Sequence, residues 1–140
     1  MNPAPEITLD IILNGRQVAP FKPVAYYDQH MDCIRIELCD CSITEERINP
    51  VLTVLHDNYP GSGQDDRAGL MIKGVKHFFS EWKMEMEGVV LVTRILNQLL
   101  EQLPHDQENI RNIRPIQKIA SDIELTVNMS ACEEPTMATA

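Results

Sequence analysis

Aromatic residues are scarce in this chain. One tryptophan, three tyrosines and three phenylalanines make up 5% of it, so a core must be built mainly from aliphatic side chains. Positive charge is also short. Against 21 Asp and Glu stand 12 Lys and Arg, for a formal net charge of −9, and the basic residues are scattered rather than clustered. Such a chain is repelled by phosphate backbones and anionic lipid, which argues against direct nucleic-acid and membrane partners. Long apolar runs are missing. The longest, "VVLV" at 89–92, is far below the ~20 residues of a bilayer span. The start, "MNPAPEITLD", has neither the basic residues nor the apolar run of a signal peptide. A cytoplasmic location is expected, and with it reduced thiols.

What is present is ordinary for a globular protein: 44% hydrophobic and 24% charged residues in 140, enough for one domain with a real core. The expectation is a single α+β domain over 1–127 and a flexible tail over 128–140, where apolar periodicity is absent.

The first half reads as strands. "ITLDIIL" (7–13) is β-branched and ends at Asn14-Gly15, a hairpin signal, with a short return at 16–18. Residues 24–38 read as two strands around a turn at 28–31. Ile34, Ile36 and Leu38 face one way, and Cys33, Arg35 and Glu37 the other. In "SITEERINP" (42–50), Ser42 and Glu45 fit a capping box, but Pro50 limits any helix there to one turn. "VLTVLHD" (51–57) suits a helix opened by Asn49-Pro50 or a strand. Its β-branched content favours the strand, and 67–74 makes the return. After Gly74 the period becomes helical. Val75, Phe78, Phe79 and Trp82 share one face. Val92, Ile95, Leu96, Leu99, Leu100 and Leu103 form the best stripe. Ile110, Ile113, Ile116, Ile119 and Ile123 form a third, which Pro115 is expected to split. Strands first and helices second predict an antiparallel meander of about five strands with two to four helices packed on one face.

Three of the four cysteines lie in "MDCIRIELCDCSITEE" (31–46), just after His30. At ~3.3 Å per residue, Cys33 and Cys39 stand ~20 Å apart on a strand, whereas ligands of one ion lie within ~4 Å of each other. A single site using both ends is excluded. Cys39 and Cys41 supply two ligands and would need a partner such as His56, so no metal is expected. The spacing is C-x-C, not the redox C-x-x-C, and nothing in the sequence sets His30, His56 or His77 beside a thiol. No catalytic residues and no cofactor are expected.

Other candidates have plainer readings. "PGSGQDD" (60–66) lacks the lysine of a phosphate loop, and Asp65 and Asp66 fit no EF-hand pattern. Asp28 and Asp32 flank a turn, where Asp28 is expected to bind local backbone N–H groups. His77 reads as a boundary residue. Trp82, Met84 and Met86 are the candidate partner-binding residues, since Trp and Met are enriched in interface cores. They also suit gap filling over the sheet.

Tyr27, Asp28, Asp32, Ile34 and Ile36 fit a Y-D-x-x-x-D-x-L-Y-I pattern. With "VLTVLHDN" and "AGLMIKG", they make residues 24–74 resemble a group of small uncharacterised bacterial proteins built on a short β-meander. Ile34-Arg35 stands where Leu-Tyr is usual, and the loop after Asp57 is longer. The resemblance implies a meander and no particular activity.

With no catalytic motif, the first expectation is a non-enzymatic protein acting through protein–protein contacts, self-associating as a homodimer, with a regulatory role. The alternatives are a nucleotide or metabolite binder with a pocket between sheet and helices, and an acidic inhibitor that mimics nucleic acid.

Overall fold

The computed structural model describes residues 21–63, 65–103 and 106–130. The strand expected at 7–13, its turn and return, and residues 131–140 lie outside the described residues. Five strands come first: β1 (Val24–Asp28), β2 (Cys33–Glu37), β3 (Ile43–Arg47), β4 (Leu52–Asp57) and β5 (Arg67–Lys73). Then follow α1 (Val75–Glu81), β6 (Val89–Leu91), α2 (Val92–Gln102), α3 (Gln107–Asp122) and β7 (Thr126–Asn128). The class is α+β, as the order of periodicities predicts.

The five strands form one antiparallel sheet in the order β1-β2-β5-β4-β3. Two hairpins, β1–β2 and β3–β4, thus flank β5. Ile34, Ile36, Leu52, Val54, Leu70 and Ile72 share one face and are almost fully buried. Phe79, Ile95, Leu96, Leu99, Ile113 and Ile116 of the three helices pack on that face in one continuous cluster. The opposite face carries a smaller cluster of Cys33, Leu55 and Met71, with Ile43 beside it.

The central strand has a special residue. A Cβ at Gly69 would lie 1.9 Å from the carbonyl oxygen of Ile36, so only glycine lets β2 come this close. Just beside it, Leu55 pairs with Gly69 and His56 with Arg67, leaving Ala68 as the extra residue of a bulge. Its carbonyl is not wasted: it accepts the Leu38 N–H at 2.8 Å.

Residues 43–47 are a strand, not the helical turn that the capping box allows. Both box residues are engaged elsewhere. The Ser42 carbonyl accepts the Asn58 N–H at 2.9 Å, and its hydroxyl accepts Asn58 Nδ2 at 2.8 Å. Glu45 faces Arg35 across the sheet at 3.4 Å. Asn49 and Pro50 make the hairpin turn, where Asn49 Oδ1 accepts the N–H groups of Val51 and Leu52, both at 2.9 Å. Residues 52–57 form the strand preferred over a helix.

Pro115 does not split the third helix. It removes one bond, to the carbonyl of Arg111, and Arg111 is exposed, so water can take that bond. Burial of Ile113, Ile116 and Ala120 on both sides of the proline keeps the helix continuous. Its buried face is narrower than the isoleucine pattern implied, because Ile119 and Ile123 are exposed. Asn109 and Asn112 take part of that face, with Asn112 accepting Arg67 Nε at 2.8 Å and Asn109 accepting Asn49 Nδ2 at 3.1 Å. These bonds orient α3 on the sheet.

The acidic hairpin turn between β1 and β2 caps the first helix. Asp28 accepts the Met31 N–H at 3.1 Å, as expected. Asp32 has φ 52° and does more. Its carbonyl accepts the N–H groups of Gly74 and Val75 at 3.1 and 3.3 Å. Its carboxylate accepts the Lys76 N–H at 3.1 Å and the Tyr27 hydroxyl at 2.7 Å. Helix α1 has Gly74 at its N-cap and no side-chain cap there, so Asp32 satisfies its first donors, Val75 through its carbonyl and Lys76 through its carboxylate. The Tyr27 phenol is raised by burial and by this bond.

Strands β6 and β7, not foreseen in the sequence, pair antiparallel. The Met129 N–H donates to Gly88 O at 2.8 Å, and Met129 is 3% exposed. The packed chain therefore continues past 127. No helix among the described residues is long and apolar enough to cross a membrane.

Two substitutions test this packing. Leu96 is 0% exposed, so Leu96→Ala should cost ~2–5 kcal/mol in urea denaturation. Because the leucine packs inside its own chain, the loss should be the same at low and high protein concentration. Gly69→Ala should cost at least ~1–3 kcal/mol by overpacking, since backbone, not a flexible side chain, blocks the new methyl. Near-neutral stability of that variant would mean that β2 and β5 are not held as described.

Candidate functional site

The chemistry-bearing side chains gather where β2 turns into β3 and where β4 ends. β2 ends at Glu37, and bends at Cys39 and Cys41 fold the connection back on itself. β3 begins two residues after Cys41, with Ile43 paired to Asp57. That register sets the last residue of β4 beside the C-x-C turn. The Ser42–Asn58 bonds and a bond from Thr44 Oγ1 to Asn58 Oδ1 at 2.5 Å hold the two segments together.

The result is a compact trio. The Cys39 and Cys41 sulfurs lie 3.2 Å apart. One ligand atom from each of Cys39, Cys41 and Asp57 lies within 4.8 Å of the others, and all three residues are half-buried. Burial raises the Cys41 thiol first, followed by its bond to Cys39 and the negative charge of Cys39 and Asp57. Together they push it up to about 12. Asp57 also accepts the Tyr59 N–H at 2.9 Å.

His56 is the neighbour of Asp57 on the same strand, and its ring lies between two carboxylates instead of near the thiols. Nε2 is 2.6 Å from Glu46 Oε1, and Nδ1 is 3.0 Å from Asp66 Oδ2. A neutral imidazole can donate from only one nitrogen, so this clamp suits the imidazolium. Burial pulls the ring's pKa down, but bonds to Glu46 and Asp66 outweigh it, and the net shift is upward. Asp65, the other loop acid, pairs with Arg67 at 2.8 Å.

The remaining sequence candidates are dispersed. Cys33 sits in the smaller apolar cluster, its thiol raised by burial and then by Asp28. His30 and His77 are exposed. Trp82, Met84 and Met86 are half-buried against the main core. Trp82 stacks on Phe78 with ring centroids 5.5 Å apart, and its Nε1 reaches Gln102 at 3.4 Å. A cleft of about 560 Å³ opens on the helical side, lined by Thr93, Pro115, Arg114, Lys118 and Asp122 among others.

No family model, curated protein or solved structure matches this chain. The site therefore has to be read from its own geometry. The residue that sequence reasoning missed is Asp57. With at most one helical turn allowed in 42–50, nothing placed Asp57 opposite Ile43. A hairpin reading, with Asn49-Pro50 as its turn, would have put a carboxylate beside Cys41.

The His56 clamp makes stability depend on pH with a definite sign. Its folded-state pKa lies above the unfolded value of ~6.5. The clamp's contribution is thus complete below ~6.5 and is lost as pH rises through the folded-state value. Melting temperature should fall over that interval in the wild type and change less in His56→Gln, as followed by circular dichroism. Equal pH slopes for the two proteins would show that the ring is not protonated between its carboxylates.

Proposed function

We propose that this protein acts through protein–protein contacts, without catalysis, and that its first partner is a second copy of itself. The observation that carries this reading is a set of exposed apolar side chains on β1 and β6, the strands on either side of β7. β1 buries Tyr27 and turns Val24 and Tyr26 outward, 41% and 45% exposed. β6 buries Val90 and turns Val89 and Leu91 outward, 65% and 49% exposed. β7, which pairs with β6, also lies alongside β1, so the two apolar pairs flank β7, whose outward residues are Thr126 and Asn128. Apolar side chains grouped in this way are a feature of association surfaces. Arg35 and Glu37, paired at 2.5 Å, lie beside Tyr26 and Val24 in the sheet register and supply a polar rim.

The far edge of the sheet contrasts with this. β3 exposes Glu45, Glu46 and Arg47, and charges on an edge strand discourage pairing with another chain. One edge is thus blunted, whereas the β1 side carries exposed apolar side chains.

Light scattering over a dilution series tests the reading. The wild type should associate as concentration rises, and Tyr26→Lys with Leu91→Lys should remain monomeric. Both positions are already solvated, so the double variant's monomer should melt within a few degrees of the wild type. A wild type that stays monomeric at every concentration, or a double variant that associates equally, would rule out self-association through these strands.

A further inference from the structure

We infer that Cys39, Cys41 and Asp57 form a binding site for a thiophilic divalent cation, with zinc the best match to their chemistry. Two sulfurs and a carboxylate oxygen converge within 4.8 Å, from segments that the β3–β4 register and the Ser42–Asn58 bonds hold together. A tetrahedral zinc ion has metal–sulfur bonds of ~2.3 Å and metal–oxygen bonds of ~2.0–2.2 Å. Its sulfurs then stand ~3.8 Å apart. The thiols here are 3.2 Å apart, so a small side-chain rotation on a bend, with no backbone rearrangement, opens the pair to fit.

The donor set selects the class of ion. Thiolates favour zinc and other soft or borderline metals, whereas magnesium and calcium require cages of oxygen ligands. The charges agree with a cation. Asp65 and Asp66 are matched by Arg67 and His56, but no ion pair engages Asp57 among the described residues. Binding would displace one proton from each thiol, leaving two thiolates and one carboxylate around a divalent ion. Three protein ligands leave the fourth position for water or for a donor atom from another molecule.

This site differs from the one that the strand geometry excludes. Cys33 faces the smaller apolar cluster, and His56 is held by Glu46 and Asp66. Asp57, not His56, completes the pair of thiols.

Cobalt titration of the full-length reduced protein tests the assignment. At dilutions where the chain is monomeric, the outcome does not depend on self-association. One equivalent of Co²⁺ should produce a thiolate-to-cobalt charge-transfer band and tetrahedral ligand-field bands, and Zn²⁺ should abolish both. Cys39→Ser and Cys41→Ser should lose the charge-transfer band or most of it, with unchanged far-ultraviolet dichroism showing that they fold. Asp57→Asn keeps the acceptor for the Tyr59 N–H and should weaken binding by about tenfold or more. Cys132→Ser, which removes the fourth cysteine, should bind as the wild type does. The proposal is overturned by the absence of a band at stoichiometric Co²⁺, by full binding in either serine variant, or by loss of binding in Cys132→Ser.

Discussion

The close approach of β2 to the middle of β5, permitted by the missing side chain at Gly69, is the constraint on which the rest of the structure depends. Both hairpins are local structures, but neither has a complete hydrogen-bonding partner until β5 lies between them. The bulge at Ala68 shifts the register of the residues just before it. Arg67 reaches Asn112 on α3, Asp66 reaches His56, and the Asp66 carbonyl accepts the Asp57 N–H at 2.7 Å. One irregularity in the central strand thereby links the sheet to the last helix and fixes the end of β4, where the thiol–carboxylate trio is formed.

Negative charge is distributed unevenly over this acidic chain. Around the β3–β4–β5 corner several carboxylates are paired: Glu45 with Arg35, Asp65 with Arg67, and Glu46 and Asp66 both with His56. These pairs are partly exposed and add little stability individually. Their value is positional, since each fixes the direction of a side chain around the site. Asp32 shows the same economy. One residue ends a hairpin, caps α1 and accepts the Tyr27 hydroxyl, which gives the Y-D-x-x-x-D pattern a structural role.

Much of the fold could be read from hydrophobic period alone. The alternation at Ile34, Ile36 and Leu38 and the stripe from Val92 to Leu103 are both on the core side. Two kinds of information were hidden. The first was competition for side chains: Ser42 and Glu45 look like a capping box until Asn58 and Arg35, distant in sequence, claim them. The second was tertiary override of a local rule, as in α3, where burial on both sides of Pro115 outweighs one lost backbone bond. The site suffered from the first. The thiols were visible in the sequence, but the third ligand depends on strand register, which no local pattern supplies.

The β6–β7 pair has a consequence for how the molecule comes apart. It joins the chain just before α2 to the chain just after α3, with backbone bonds from Met129 to Gly88 and from Val92 to Leu125, at 2.8 and 2.9 Å. The two helices are thereby enclosed in a loop tied at its neck. Closing a loop of ~40 residues costs entropy that the contacts inside it must offset. The neck couples the helices. Neither can fray far from its sheet-side end without opening the neck, and amide exchange across α2 and α3 becomes a shared opening rather than two separate ones.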